Sequence, residues 1–384
     1  MRDVAIIGIG RTPVGEQWAS SLRMLAADAI YAALDDAGLE NVDALYVGNA
    51  YGASYSSQQQ LGGLLADYTG MAGVEALTVE AGDASGAAAL RAAYLAVGSG
   101  EVETALVVGV EKSTDTVGSA RITARNVSLD ADFESVPGAT LVGLAAMLMR
   151  RYLYAYQLTL DVFEGFSINA HANGGRSEYA MYRNSIKPGR FISAPMVAEP
   201  VNLFDMAPDA DGAAAIIVTS ANRAQDMVPR PIRITGSAAA TDSLALHDRH
   251  DPLFLRAAHL SAHKAMSRAG VTQADLDLFE LHDSFTVISA LTLEAVGFAE
   301  RGQGWKLAKE GAITLNGQLP ISTFGGLKAR GNPAGATGVY QAVEAVLQLR
   351  GAAGENQVLG ARTALIQNLG GLGSTAITHV LQSA

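Results

Sequence analysis

The chain has 384 residues, enough for two domains of ordinary size or one large pseudo-symmetric unit. Hydrophobic residues make up 49% and charged residues 17%, with a mean hydropathy of +0.18, which excludes a disordered chain. A net charge of -11 without any basic run argues against nucleic-acid binding, and the absence of cysteine removes disulfides, thiolate metal sites and thiol catalysis together. No apolar run reaches the roughly 18 residues of a membrane-spanning helix. The opening MRDVAIIG (1–8) reads as a core strand rather than a secretory signal, so a cytoplasmic protein is expected.

In chain order, 24–49 (MLAADAIYAALDDAGLENVDALYVGN) reads as an alanine-rich amphipathic helix, an Ala-Gly stop, a polar turn and an apolar strand ending at Asn49. Residues 83–110 (DASGAAALRAAYLAVGSGEVETALVVGV) follow, with a glycine-rich turn opening a buried helix and leading to the strand 103–110. Residues 112–195 interrupt this rhythm. They hold one helix from Val142 to about Tyr156 and a second near 160–184, read as an insertion over the mouth of a pocket. DMAPDADG (205–212) leads back to a strand at 213–219, and Pro229 and Pro231 mark the junction between halves. Then the pattern recurs: 257–282 (AAHLSAHKAMSRAGVTQADLDLFELH) echoes 24–49, and 332–367 echoes 83–110. Two echoes in the same order predict a duplicated α/β fold. The expected boundaries are 1–111 plus 196–228 for the first half, 112–195 for the insertion and 229–384 for the second half.

Each glycine turn precedes a helix, so backbone N–H groups and a positive helix end face a common pocket. Asp83 and Asn332 stand at these turns. Both also suit a helix start, Asp83 as a cap and Asn332 before Pro333, and the two readings remain side by side. His282-Asp283-Ser284-Phe285 ends an apolar strand, where chemistry in open α/β sheets gathers, although a lone histidine is often structural. Neighbours on a strand point to opposite faces, so Ser284, His282 and Asp283 form no local hydrolytic triad. NLGGLG (368–373) is a fourth loop whose glycines permit close backbone approach.

These segments resemble the thiolase superfamily along essentially the whole chain, most nearly its sterol-carrier-protein-x and archaeal branch. GGLKARGNPAGATG (325–338) is similar to the family's GGxxxxGHPxGATG, and EAGDASGAAALRAA (80–93) to the nucleophile loop NxxCASGxxAxxxA. HDSF (282–285) resembles the HDCF box, QNLGGLG (367–373) the C-terminal glycine loop and DMAPDADGAAAIIV (205–218) the D-x-CP-x-SDGAAA segment. The resemblance implies two βαβαβ halves stacked as an αβαβα five-layer sandwich with an inserted helical loop region, usually a homodimer, acting on coenzyme A thioesters. It assigns the catalytic positions to Asp83, His282, Ser284 and Asn332, and an oxyanion hole to the peptide N–H groups of Asp83 and Gly370.

The departures fall on those positions. Asp83 stands where the family has its nucleophilic cysteine, Asn332 where it has the activating histidine, and Ser284, Asn368 and Ala207 at three further cysteine positions. His282 alone is retained. A carboxylate acylated at position 83 would be a hydrolysis-prone anhydride, and Asn332 has no proton to exchange near neutral pH. The oxyanion donors and His282 could still stabilise a thioester enolate without a covalent intermediate, as an aldol or retro-aldol reaction requires, with Asp83 taking the hydroxyl proton. Some members of this branch that lack the nucleophile resemble aldolases working with a small OB-fold, DUF35-like acyl-CoA-binding protein. Three functions therefore stand: altered C–C bond chemistry on acyl-CoA, a catalytically silent homologue that binds acyl-CoA or such a partner, and an acyltransferase using a residue other than cysteine. No metal and no prosthetic group is expected. Arg176, Arg183, Lys187, Lys328 and Arg330 are candidates for the coenzyme A phosphates, against the alternative that they are solvated surface cations. The stretch Asn169-Ala-His171-Ala-Asn173 resembles a family segment near the substrate, with no role assigned.

Overall fold

A computed structural model describes residues 1–383. Its strands are β1 (Val4–Arg11), β2 (Ala44–Gly48), β3 (Glu75–Val79), β4 (Thr104–Glu111), β5 (Met196–Ala198), β6 (Val201–Asn202), β7 (Gly212–Ser220), β8 (Ile232–Thr241), β9 (Leu278–Glu280), β10 (Thr363–Gly370) and β11 (Thr375–Ser383). Nine of them run in the order β3-β2-β4-β7-β1-β8-β11-β10-β9, and β5 pairs with β6 alone. Strands β4 and β7 are buried end to end, which is why they read as unbroken apolar runs rather than alternating ones.

The duplication is visible in the ladder. In the first half the sheet runs β3-β2-β4-β7-β1; in the second, starting from an isolated bridge between Phe279 and Ile321, it runs through β9, β10, β11 and β8. Both sequences have the same order of elements, with the third strand of the second half reduced to that bridge. The halves meet where Val4–Ile6 of β1 pair antiparallel with Ile232–Ile234 of β8.

Helices make the remaining layers. Leu22–Ala37 covers the outer face of the first half and Arg256–Ala269 that of the second, each ending on a left-handed glycine, Gly38 or Gly270. Between the halves lie the helices Ser85–Ser99 and Thr337–Arg350, whose Leu90, Val97, Val343 and Val346 share one core with Ile6, Val107, Ile234 and Ile366 of the two half-sheets. Gly86 and Gly338 let these two helices touch. A Cβ at Gly86 would lie 2.7 Å from the Gly335 carbonyl oxygen, and one at Gly338 would lie 2.4 Å from the Ala87 nitrogen. The result is the five-layer order helix, sheet, helix, sheet, helix.

Within 112–195 the first expected helix is Leu141–Tyr156. The second is shorter than expected: a 3-10 turn at Leu160–Phe163 leads into Glu164–Gly174, where Gly174 and Gly175 together oppose continuation. An eight-residue helix, Gly118–Arg125, precedes them without a distinct signal in the sequence.

Candidate active site

The glycine turn before the Ser85–Ser99 helix places Asp83 in the interior at 1% exposure. It does not cap the helix; Ala84 occupies that position, and the turn is held by Ser85, whose hydroxyl donates to the Gly82 carbonyl at 2.6 Å. Both Asp83 oxygens are engaged instead. The Tyr51 hydroxyl donates to Oδ1 at 2.8 Å, and Arg125 donates to Oδ2 at 2.7 Å. The other arm of Arg125 pairs with Asp209. Burial disfavours the guanidinium charge, but the two aspartates outweigh it and hold Arg125 charged; burial and then the Asp83 charge push the Tyr51 phenol well up.

Behind Tyr51 lies Glu111, fully buried at the end of β4. It accepts N–H bonds from Ala50 at 2.9 Å and from Gly335 at 3.1 Å, so one carboxylate ties the loop after β2 to the glycine turn of the second half. Burial pushes its carboxyl up to about 7, against the pull of these N–H donors.

His282 is completely buried just beyond β9, with Nδ1 2.9 Å from Asn368 Nδ2. With the amide donating, the imidazole carries its proton on Nε2. Burial pushes it down to about 4, so it is neutral at physiological pH. His282 Nε2, Ser284 Oγ and Asn368 Oδ1 are all buried without a hydrogen-bond partner. Asn332 also departs from the capping expectation: its side-chain oxygen accepts from Thr337 at 2.8 Å, while its peptide bonds to Pro208 and Ala210 on either side of Asp209. Gly370 packs on the Ala81–Gly82 turn, since a Cβ there would lie 2.6 Å from the Ala81 carbonyl oxygen. The structure thus brings Asp83, His282, Ser284, Asn332 and Gly370 to one place.

Two cavities serve this place. A chamber of about 270 Å³ is lined by Arg125, Asp209, Ser284 and Asn332 on its polar side and by Ile122, Val142, Val197 and Phe285 on its apolar side. A cleft of about 600 Å³ has Lys187, Arg190, Lys328 and His171 among its walls, with Tyr182 and Phe204. Met206 and Ala207 line both. Lys328 is buried there, its ammonium donating to the carbonyls of Leu203 and Met206 at 3.1 and 2.9 Å, and burial pushes it down to about 8. Among the described residues, no group of three or more His, Asp or Glu side chains could hold a metal ion, and no helix is long and apolar enough to cross a membrane.

Several cations expected at a ligand sit elsewhere. Arg330 is 1% exposed and paired with Glu344 at 2.6 Å, because its helical turn points into the core between the halves. Arg176 bonds to Ala172 and Asn173 and borders a separate cavity with Lys309. Arg183 is exposed and lies outside the walls of the cleft. Conversely, Tyr51, Glu111, Arg125, Arg190 and Asp209 were missed. A buried aspartate in an apolar loop calls for a cation, but the sequence offers no signal that singles out Arg125 among its arginines.

Residues 4–195 match the family model for the thiolase N-terminal domain, and 238–383 that for a thiolase C-terminal domain-like region. The chain is 38% identical to the acetyl-CoA acetyltransferase of Methanothermobacter thermautotrophicus over 99% of both chains. It is 28% identical to human sterol carrier protein 2, covering 98% of this chain and 72% of that one. A solved structure described as an Ltp2-ChsH2(DUF35) aldolase superposes with a TM-score of 0.84 at 25% identity, covering 99% of this chain and 98% of that one.

Proposed function

The chain belongs to the thiolase family, whose members act on coenzyme A thioesters, and we propose that it makes or breaks a C–C bond beside an acyl-CoA thioester by aldol-type chemistry, without an acyl-enzyme. One observation carries this reading: Ser284 Oγ, a buried hydroxyl without a partner, is among the walls of an apolar chamber, and His282 Nε2, two residues before it, is likewise buried without a partner. A buried donor left without an acceptor is costly, and a thioester carbonyl oxygen would accept from the Ser284 hydroxyl and the His282 Nε2–H. The cleft with Lys187, Arg190 and Lys328 suits the phosphates of coenzyme A, and Met206 and Ala207 lead from it to the reacting end.

In the retro-aldol direction, the C2–C3 bond of a 3-hydroxyacyl thioester breaks. The hydroxyl proton passes to Asp83, a carbonyl forms at C3, and the bonding pair moves to the thioester enolate. The Nε2–H of neutral His282 and the peptide N–H groups of Asp83 and Gly370 stabilise the enolate oxygen, before C2 takes up a proton. Likeness to the aldolase complex supports this chemistry and a small DUF35-type partner. A homodimer built on the exposed edge strand β3, with half-exposed Leu77, belongs to the same reading.

A second reading has its own support. Tyr51 and Arg125 occupy both Asp83 oxygens, which suits a silent acyl-CoA-binding homologue. Incubation with 3-hydroxyacyl-CoA esters separates the two. The aldol reading expects release of an aldehyde or ketone together with the shortened acyl-CoA, abolished by Asp83→Ala. Tight acyl-CoA binding without product, alone and with a DUF35-type partner, would favour the silent homologue.

A further inference from the structure

We infer that Asp209 makes the inner chamber selective for uncharged acyl groups and against acyl groups that end in a second carboxylate. The inference rests on the acyl-CoA reading of the site and specifies its substrate. Arg125 and Asp209 are the two charged side chains among the chamber's walls, and the cations of the cleft lie beyond Met206 and Ala207. An arginine at the end of an apolar pocket would ordinarily invite an anion. Here its two arms are spent, one on Asp83 and the other on Asp209.

The tally of one guanidinium against two carboxylates leaves the chamber end with an excess negative charge. His282, held neutral by burial, adds nothing to offset it. The side chain of Asp83 is 1% exposed and that of Asp209 is 23% exposed, so Asp209 is the carboxylate an incoming acyl tail meets. Of the remaining walls, Ile122, Val142, Val197 and Phe285 offer an anion no hydrogen bond, and Asn126, Thr140, Ser284 and Asn332 bring polar groups but no positive charge to offset the carboxylates. A second carboxylate on the acyl group would be desolvated beside a like charge, whereas an aliphatic or hydroxylated tail would not.

The test is calorimetric titration of butyryl-CoA and succinyl-CoA, which have four-carbon acyl chains and differ in the terminal carboxylate, with free coenzyme A as reference. Wild-type protein should bind butyryl-CoA at least about tenfold more tightly than succinyl-CoA, and Asp209→Asn should shrink that ratio to less than about threefold. Asp209→Ser serves as a second variant, since it also removes the charge. Equal wild-type affinities, or a ratio unchanged in both variants, would overturn the selectivity while leaving the acyl-CoA site standing. Failure of all three coenzyme A compounds to bind wild-type protein would overturn the acyl-CoA reading and the selectivity with it.

Discussion

Arg125 Nη2 lies 2.7 Å from Asp83 Oδ2, joining the insertion to the turn at the head of the central helix. The pair is nearly sequestered from solvent, so removing one partner strands the other. Arg125→Met should cost about 3–5 kcal/mol of stability in urea unfolding, the range for breaking a buried ion pair. Asp83→Asn should cost less, because Arg125 keeps Asp209 and the amide oxygen can still accept.

Lys328 and Arg330 are two residues apart and should behave oppositely. Lys328 borders the cleft, so Lys328→Met should weaken coenzyme A binding by about tenfold, or 1.4 kcal/mol. Its ammonium is lost as pH rises through about 8, so wild-type affinity should fall between pH 7 and 9 and the variant's should not. Arg330→Met should instead leave Glu344 buried and unpaired, lowering stability by about 3–5 kcal/mol with coenzyme A affinity unchanged. Titration calorimetry and urea unfolding on both variants read the contrast.

His379 tests the buried interior. Burial pushes it down to about 4, so between its unfolded value near 6.5 and that value the unfolded chain binds the extra proton. Its stabilisation is present above pH 6.5 and is lost as pH falls toward 4. Asp205, Glu111 and Glu280, raised by burial to about 6, 7 and 8, slope the other way, but they are common to wild type and variant. Wild type should therefore lose up to about 3 kcal/mol more than His379→Gln over that range, measured by unfolding at a series of pH values.

The contact between the central helices is tight enough to test the layer order. Gly338→Ala places a Cβ 2.4 Å from the Ala87 nitrogen and should cost about 1–3 kcal/mol by overpacking. Thermal unfolding reads it, and a neutral effect would mean that the helices stand further apart.

The fold was legible because its signals are local and repeat. The Ala-Gly helix stops at Gly38 and Gly270, the glycine turns before the central helices and the apolar runs of β4 and β7 each reflect a backbone need that sequence spacing records. The loops carrying Asp83, His282, Asn332 and Gly370 were legible for the same reason: each ends a recognisable strand or opens a helix. What those side chains touch was not. Asp83 alone also suits a helix cap, and its partners Tyr51 and Arg125 come from segments 32 and 42 residues away whose local patterns mark neither. Lys328 and Arg330 look alike in sequence, and only the packing of one helical turn sends the first to the cleft and the second to Glu344.

Intact-protein mass spectrometry after mixing with acetyl-CoA or acetoacetyl-CoA addresses the absence of an acyl-enzyme most directly. The predicted spectrum holds only the unmodified chain, with thiolysis of acetoacetyl-CoA no faster than the protein-free control. An acetyl adduct that forms and decays at the rate of coenzyme A ester turnover, on Asp83 or any other side chain, would contradict it.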